Sequence, residues 1–175
     1  KVISYEEMLE MASLGAKVMQ PHSIQDARLN RIDIEVRSSF KKVPGTIITK
    51  RKNILSNKII RGVSFTKNDA KITLVGVKDK PGVAASIFEP LYKNSINVDM
   101  VIQNISPDGK TTDLTFTINR GDLNKTIKSI KSNKKNVKYK TISSDKKVSK
   151  VSIIGAGMIT TPGVTYKMFR ALAQE

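Results

Sequence analysis

The residues of this chain best suited to chemistry lie in one short run, Asp79-Lys-Pro-Gly-Val-Ala-Ala85, and further on at Gln103 and Asn104. Pro81-Gly82 turns an apolar strand into a helix that begins with the small residues Val83, Ala84 and Ala85. The first N–H groups of a helix have no acceptor inside it and sit at the positive end of its dipole, so this end suits a carboxylate or phosphate. Gly82 has no Cβ to hold a ligand away from the backbone. Asp79, in the same loop, offers a carboxylate to an ammonium group, and Gln103 and Asn104, at the end of the neighbouring strand, offer amides. A carboxylate trap beside an ammonium acceptor is the chemistry of a site for a free amino acid. Pro-Gly is equally an ordinary strand-to-helix connection, and the pattern alone leaves both readings open.

The loop is written twice. DKPGVAASIFEPL, from Asp79 to Leu91, is answered by TTPGVTYKMFRAL, from Thr160 to Leu172. Upstream, Lys71-Ile-Thr-Leu-Val-Gly76 matches Lys150-Val-Ser-Ile-Ile-Gly155, with extra residues around Ala156-Gly157-Met158 before the second turn. A period of roughly eighty residues is too long for a solenoid repeat, so the chain reads as two copies of one small domain.

The elements that position these loops follow from periodicity. Residues 4–19 read as a helix with Ser4 and Glu7 spaced as a capping box, and Pro21 to Asn30 as a second helix entered by proline. Ile32, Ile34 and Val36 alternate with charges as a half-buried strand, and Pro44-Gly45 turns the chain into the strand Thr46–Thr49. Basic, weakly periodic Lys50 to Arg61 reads as a linker. Strands over Gly62–Thr66 and Ala70–Val77 are then expected, followed by a helix over Val83–Lys93 and strands over Asn97–Ile105 and Thr112–Asn119. A helix over Asp122–Ser132, with Asp122 as N-cap, precedes strands over Val137–Ile142 and Lys150–Ile154. Ile96, Val98, Met100 and Ile102 show period two, as do Leu114, Phe116 and Ile118. The class is α+β, and a β-β-α-β-β-α unit of this size packs two helices on one face of an antiparallel sheet, the ferredoxin-like arrangement. The other sheet face then needs a second copy or a partner chain. Pro90 breaks a local rule by falling where the helix should still be running.

Composition narrows the function classes. With 175 residues and 39% hydrophobic content the chain can build a real core. It has no cysteine, and His22 is its only histidine, which removes disulfides, a cysteine nucleophile and thiolate or histidine-rich metal sites. A reducing compartment, with the cytoplasm as default, is expected, because neither a membrane span nor a signal peptide is visible. The net charge of +16 invites a nucleic-acid partner, but the lysines are scattered through every segment among asparagines and isoleucines. The densest cluster, Lys125 to Lys150, reads as solvated surface, and neither nucleic acid nor membrane is expected as a partner. No phosphate-binding loop, kinase catalytic set or triad can be assembled. Lys17, following Gly15-Ala16, can reach a phosphate but is equally a bland exposed lysine. The first residue is not methionine, and the last residues, Arg170-Ala-Leu-Ala-Gln-Glu175, fall inside a helical pattern, so a piece of a longer protein is expected.

These residues resemble the aspartate kinases. Ser4-Tyr-Glu-Glu-Met-Leu-Glu-Met-Ala-Ser-Leu-Gly-Ala-Lys-Val18 resembles the segment closing that family's kinase domain, and Arg37-Ser-Ser-Phe40 with Pro44-Gly-Thr46 its final strands. Lys78-Asp-Lys-Pro-Gly82, Asn97-Val-Asp-Met-Val-Ile-Gln-Asn104, Gly155-Ala-Gly-Met158 and Pro162-Gly-Val164 are similar to its paired ACT domains. The resemblance implies a remnant of an α/β amino-acid kinase domain over 1–49, a linker over 50–61, one ferredoxin-like ACT domain over 62–136 and a truncated second one over 137–175. It implies a parent enzyme that uses ATP and magnesium to phosphorylate the β-carboxylate of aspartate, at the start of lysine, threonine and methionine biosynthesis. It also implies feedback inhibition by lysine, threonine or both, bound at Asp79, Gly82, Val83, Ala84, Ala85, Gln103 and Asn104. Lys17 corresponds to a nucleotide contact, no catalytic or metal-binding residue is carried over, and homo-oligomers form through the ACT domains. The rest of the kinase domain is absent from the sequence, so the fragment alone is expected to be inactive and to hold no cofactor of its own.

Two other readings belong to different classes. One is a free-standing amino-acid-binding module that regulates another protein. The other is an RNA-binding protein, because RNA-recognition domains share the ferredoxin-like fold; against it, the central strand Asp113-Leu-Thr-Phe-Thr-Ile118 lacks the exposed aromatic set that stacks bases.

Overall fold

Strand β1 (Val2–Ser4) runs directly into helix α1 (Tyr5–Ser13), and the capping box read from the sequence closes at the junction. The Glu7 amide donates to Ser4 Oγ at 3.1 Å, and the Ser4 amide donates to Glu7 Oε2 at 3.2 Å. The computed structural model describes residues 1–50, 58–106, 109–134, 137–158 and 160–175. The expected linker falls partly at 51–57, outside the described residues. By contacts the chain divides into two units, Lys1–Thr66 with Val151–Glu175, and Lys67–Lys150.

In the first unit α1 is shorter than its apolar pattern, because Gly15 takes a left-handed φ of 107° and ends the helix. Helix α2 (Pro21–Asn30) begins at its proline, where the missing N–H costs nothing. Strands β2 (Ile34–Val36) and β3 (Thr46–Thr49) complete a three-stranded sheet in the order β1-β3-β2. β3 is parallel to β1 and antiparallel to β2. Ile3, Tyr5, Met8, Ile24, Ala27 and Ile48 form the core. Glu7 is nearly buried and pairs with Arg61, Nε to Oε1 at 3.4 Å, while the Ser64 hydroxyl donates to the Leu14 carbonyl at 2.8 Å at the end of α1.

The second unit carries strand β4 (Gly62–Lys78), helix α3 (Val83–Lys93), strands β5 (Val98–Ile105) and β6 (Thr111–Asn119), helix α4 (Leu123–Ser132) and strand β7 (Thr141–Ile154). β4 begins, and β7 ends, in residues of the first unit. The sheet order is β5-β6-β4-β7, the ferredoxin-like arrangement, built as β-α-β-β-α-β rather than the expected β-β-α-β-β-α. The two strands expected over 62–77 are one. Asn68 and Asp69 look like turn residues, yet Asp69 stays in register opposite Asn119. The fourth strand is β7, which runs unbroken through the polar Ser143-Ser-Asp-Lys-Lys147 that suggested a loop. It is an edge strand, where exposed lysines are the usual guard against pairing with another sheet.

Ala70, Ile72, Leu74, Leu114, Phe116 and Ile118 face the helices and pack on Ile87, Leu91, Leu123 and Ile130. The rings of Phe88 and Phe116 meet edge to face with centroids 5.3 Å apart. The opposite face is rich in threonine, with Thr73 and Thr115 joined through their hydroxyls at 2.9 Å. On β5 the expected period-two stripe is broken by a bulge between Val98 and Val101, and Met100 and Ile102 are exposed.

Pro90 is tolerated for a specific reason. It removes the donor that would bond the Ser86 carbonyl, and the Asn133 side-chain amide, at the end of α4, donates to that carbonyl instead at 2.9 Å. Asp122 occupies the N-cap position of α4 without a side-chain bond, while Asn119 caps the short helical turn before it. Helix α5 (Val164–Ala173) follows the second Pro-Gly turn in the first unit, with Tyr166, Phe169 and Leu172 exposed. Among the described residues no helix is long and apolar enough to cross a membrane.

Candidate functional site

The first Pro-Gly loop is held at its entry and at its exit. β4 leaves its ladder at Lys78, and the Asp79 amide donates to the Lys110 carbonyl at 3.1 Å, tying the loop to the β5–β6 connection. Gly82 is the N-cap of α3 with φ 82°, a conformation open to glycine at little cost. A Cβ built on Gly82 would meet nothing within 4 Å, so the space in front of this helix end is open.

The sequence reading offered three amides there, and the structure reduces them. The Val83 amide donates to the Lys80 carbonyl at 3.2 Å inside the loop, and the Val83 side chain is buried in the core. Ala84 and Ala85 follow in the first turn, where helix geometry provides no intrahelical acceptor for their N–H groups. The carboxylate of Asp79 is exposed beside them in sequence.

Gln103 and Asn104 lie on β5, an exposed edge strand, and the register separates them. Gln103 stands opposite Leu114 and shares the helix-bearing face, whereas Asn104 stands opposite Asp113 on the other face. Both are exposed. Lys17 is exposed in the connection between α1 and α2, and His22 is exposed at the start of α2.

The second loop repeats the first. Gly163 is the N-cap of α5 in a left-handed conformation, again with nothing within 4 Å of a built Cβ. It borders a cavity of about 450 Å³ lined by Ile153, Met158, Thr161, Pro162 and Val164.

Sequence reasoning passed over Asp113. The available signal was an aspartate inside a strand of otherwise apolar and β-branched residues, where aspartate is disfavoured. Its Oδ1 accepts from the Gly76 amide at 2.8 Å.

Elsewhere, Lys93 holds the Glu89 carboxyl below its ordinary range through a hydrogen bond at 2.7 Å, and burial pushes the Tyr139 phenol up. Phe116 is buried against the helices, so it offers no stacking surface on β6. Among the described residues no three His, Asp or Glu side chains converge as a metal-ligand set.

The family model of the ACT domain matches residues 72–133 and 151–175, the two repeats. An aspartate kinase of Pseudomonas fluorescens (strain SBW25) is 42% identical over 174 residues, 99% of this chain and 42% of that protein. The ligand-free regulatory subunit of aspartate kinase from Thermus thermophilus is 32% identical, with a TM-score of 0.60 over 67% of this chain and 76% of that one. The aspartate kinase of Clostridium acetobutylicum, 24% identical, shares the fold with a TM-score of 0.86 over 99% of this chain and 40% of that one. The chain spans about two fifths of the length of the curated relatives it matches.

Proposed function

Because the chain belongs to the aspartate kinase family and carries its ACT region, we propose that it is the regulatory part of an aspartate kinase and binds the end-product amino acids lysine, threonine or both. The observation that carries this reading is the doubled strand, Pro-Gly turn and helix, each helix opened by a left-handed glycine facing open space. In the first repeat the α-carboxylate of the effector sits on the Ala84 and Ala85 amides at the dipole end of α3, with Gly82 allowing its approach and Val83 anchoring the helix in the core. Asp79 takes the ammonium group. Gln103 orients the ligand from the helix-bearing side, and Asn104 acts from the opposite face or from a second copy of the chain. ACT regions so arranged associate into homo-oligomers.

The catalytic activity proposed for the parent protein is transfer of the ATP γ-phosphoryl group to the β-carboxylate of aspartate. Lys17 is the one residue assigned here to the nucleotide. No phosphate-binding loop or kinase catalytic set can be assembled from its sequence, so no catalytic step is assigned to this chain, and alone it is expected to form no aspartyl phosphate. Residues 1–49 are assigned to the kinase side, 50–61 to a linker, and 62–136 and 137–175 to the paired ACT domains.

A second reading, a regulatory chain acting on a separate kinase subunit, is favoured by the match over 76% of a Thermus thermophilus regulatory subunit. Titration calorimetry of the chain with L-lysine and L-threonine, singly and together, tests the shared core of both readings. Saturable heat with at least one is expected; no binding of either at millimolar concentration overturns it.

A further inference from the structure

Strand β4 carries an extra residue just before the candidate loop. Its register against β6 runs from Leu74 opposite Leu114 to Val77 opposite Thr112, so Val75 and Gly76 together face Asp113. Gly76 has φ 65°, and its amide donates to Asp113 Oδ1 at 2.8 Å. On the other side of the bulge the Val75 carbonyl still accepts from the Lys140 amide at 2.8 Å. A side-chain carboxylate thus stands in for the ladder acceptor that the bulge takes away from Gly76.

The consequence is visible in burial. Before the bulge the even positions Ala70, Ile72 and Leu74 are buried; after it Val77 is buried and Lys78 is exposed. A one-residue change of phase exchanges the faces of every later side chain on a strand. Without the bulge Val77 would leave the core and Lys78 would enter it, and the loop starting at Asp79 would leave the sheet from the wrong side.

We propose that Asp113 is a positioning residue of the amino-acid site, holding the β4 bulge through the Gly76 amide and so setting the phase in which β4 delivers Asp79 and Gly82 to the loop. The link to ligand rests on the effector reading above; the placement of the loop does not.

The test uses the chain with Asp113→Asn, which keeps an oxygen acceptor, and Asp113→Ala, which removes it. Amide NMR reads the Gly76 N–H and the loop, and calorimetry uses L-lysine and L-threonine as probes. Asp113→Asn should preserve the exchange protection of Gly76, the Asp79, Gly82 and Ala84 shifts, and the affinity. Asp113→Ala should expose the Gly76 amide, move those shifts and weaken binding roughly tenfold. Gly76→Ala, which strains the same bulge with Asp113 intact, should move the same loop amides if Asp113→Ala does not fold. Unmoved loop amides in Asp113→Ala or in Gly76→Ala overturn the proposal. Equal damage from Asn and Ala also overturns it, because the charge would then act on the ligand directly. A wild-type chain that binds neither amino acid, with the loop shifts behaving as expected, sinks the effector reading and leaves the positioning role standing.

Discussion

Gly82 and Gly163 hold matched places in the two repeats with one backbone conformation, φ 82° and ψ −4° in the first and φ 84° and ψ −1° in the second. Neither would bring a Cβ against another atom. Replacing either by alanine therefore tests backbone strain without a packing clash. Gly82→Ala and Gly163→Ala should each cost about 1 kcal/mol, the expense of a left-handed L-residue, with asparagine milder. Denaturant midpoints of both variants check this, and an unchanged midpoint for either would remove the strain argument at that turn.

Asp79→Ala leaves the effector ammonium without its carboxylate. Loss of a charge-assisted contact costs about 1.5–3 kcal/mol, or roughly ten- to a hundredfold in affinity. Gln103→Ala should act in the same direction and more weakly. In the complete enzyme both variants should shift the inhibition curves to higher lysine or threonine while uninhibited turnover stays near wild type. Wild-type inhibition by both amino acids in both variants would place the site in another loop.

Tyr5 gives the first unit an alkaline limit. Burial, then the hydrogen bond to and charge of Asp33, push its phenol above the ordinary value of 10.0, and its hydroxyl donates to the Ile32 carbonyl at 2.7 Å. The unfolded chain loses this proton more readily than the folded one. The contribution of Tyr5 is therefore fully present below about pH 10 and lost as pH rises through the folded value. Tyr5→Phe should flatten that part of the alkaline decline while lowering stability at neutral pH by about 1 kcal/mol. Unfolding midpoints measured across pH 8 to 11 check both signs, and parallel profiles for the two proteins would count against the assignment. Tyr139, raised by burial alone, remains as an internal comparison.

The sequence was most legible where one local rule decides the outcome. Ser4 and Glu7 announced their reciprocal cap, Pro21 marked the start of α2, and Pro81-Gly82 fixed the start of α3. It was less legible where two strands had to be seen together. The bulges at Val75-Gly76 and Asp99-Met100 are properties of pairing with β6, and no single strand shows them. The first of them explains why Asp113 was passed over; Gln103 and Asn104, by contrast, are sent to opposite faces by the plain alternation of adjacent strand residues. Pro90 was a correct warning with a remote answer, since Asn133, which accommodates it, belongs to another helix. The polar run through Lys146 and Lys147 concealed β7 because an edge strand is free to look like a loop.

β7 also leaves no seam between the repeats. A cut before Thr141 strips the four-stranded sheet of its border strand and bares the hydrogen-bonding groups of β4 to any other chain. A cut after Lys150 leaves the second turn without the strand that should lead into it. Transplanting either repeat into another scaffold therefore requires taking β7 along, and a chimera joining the two halves from different parents must place its crossover outside Thr141–Ile154.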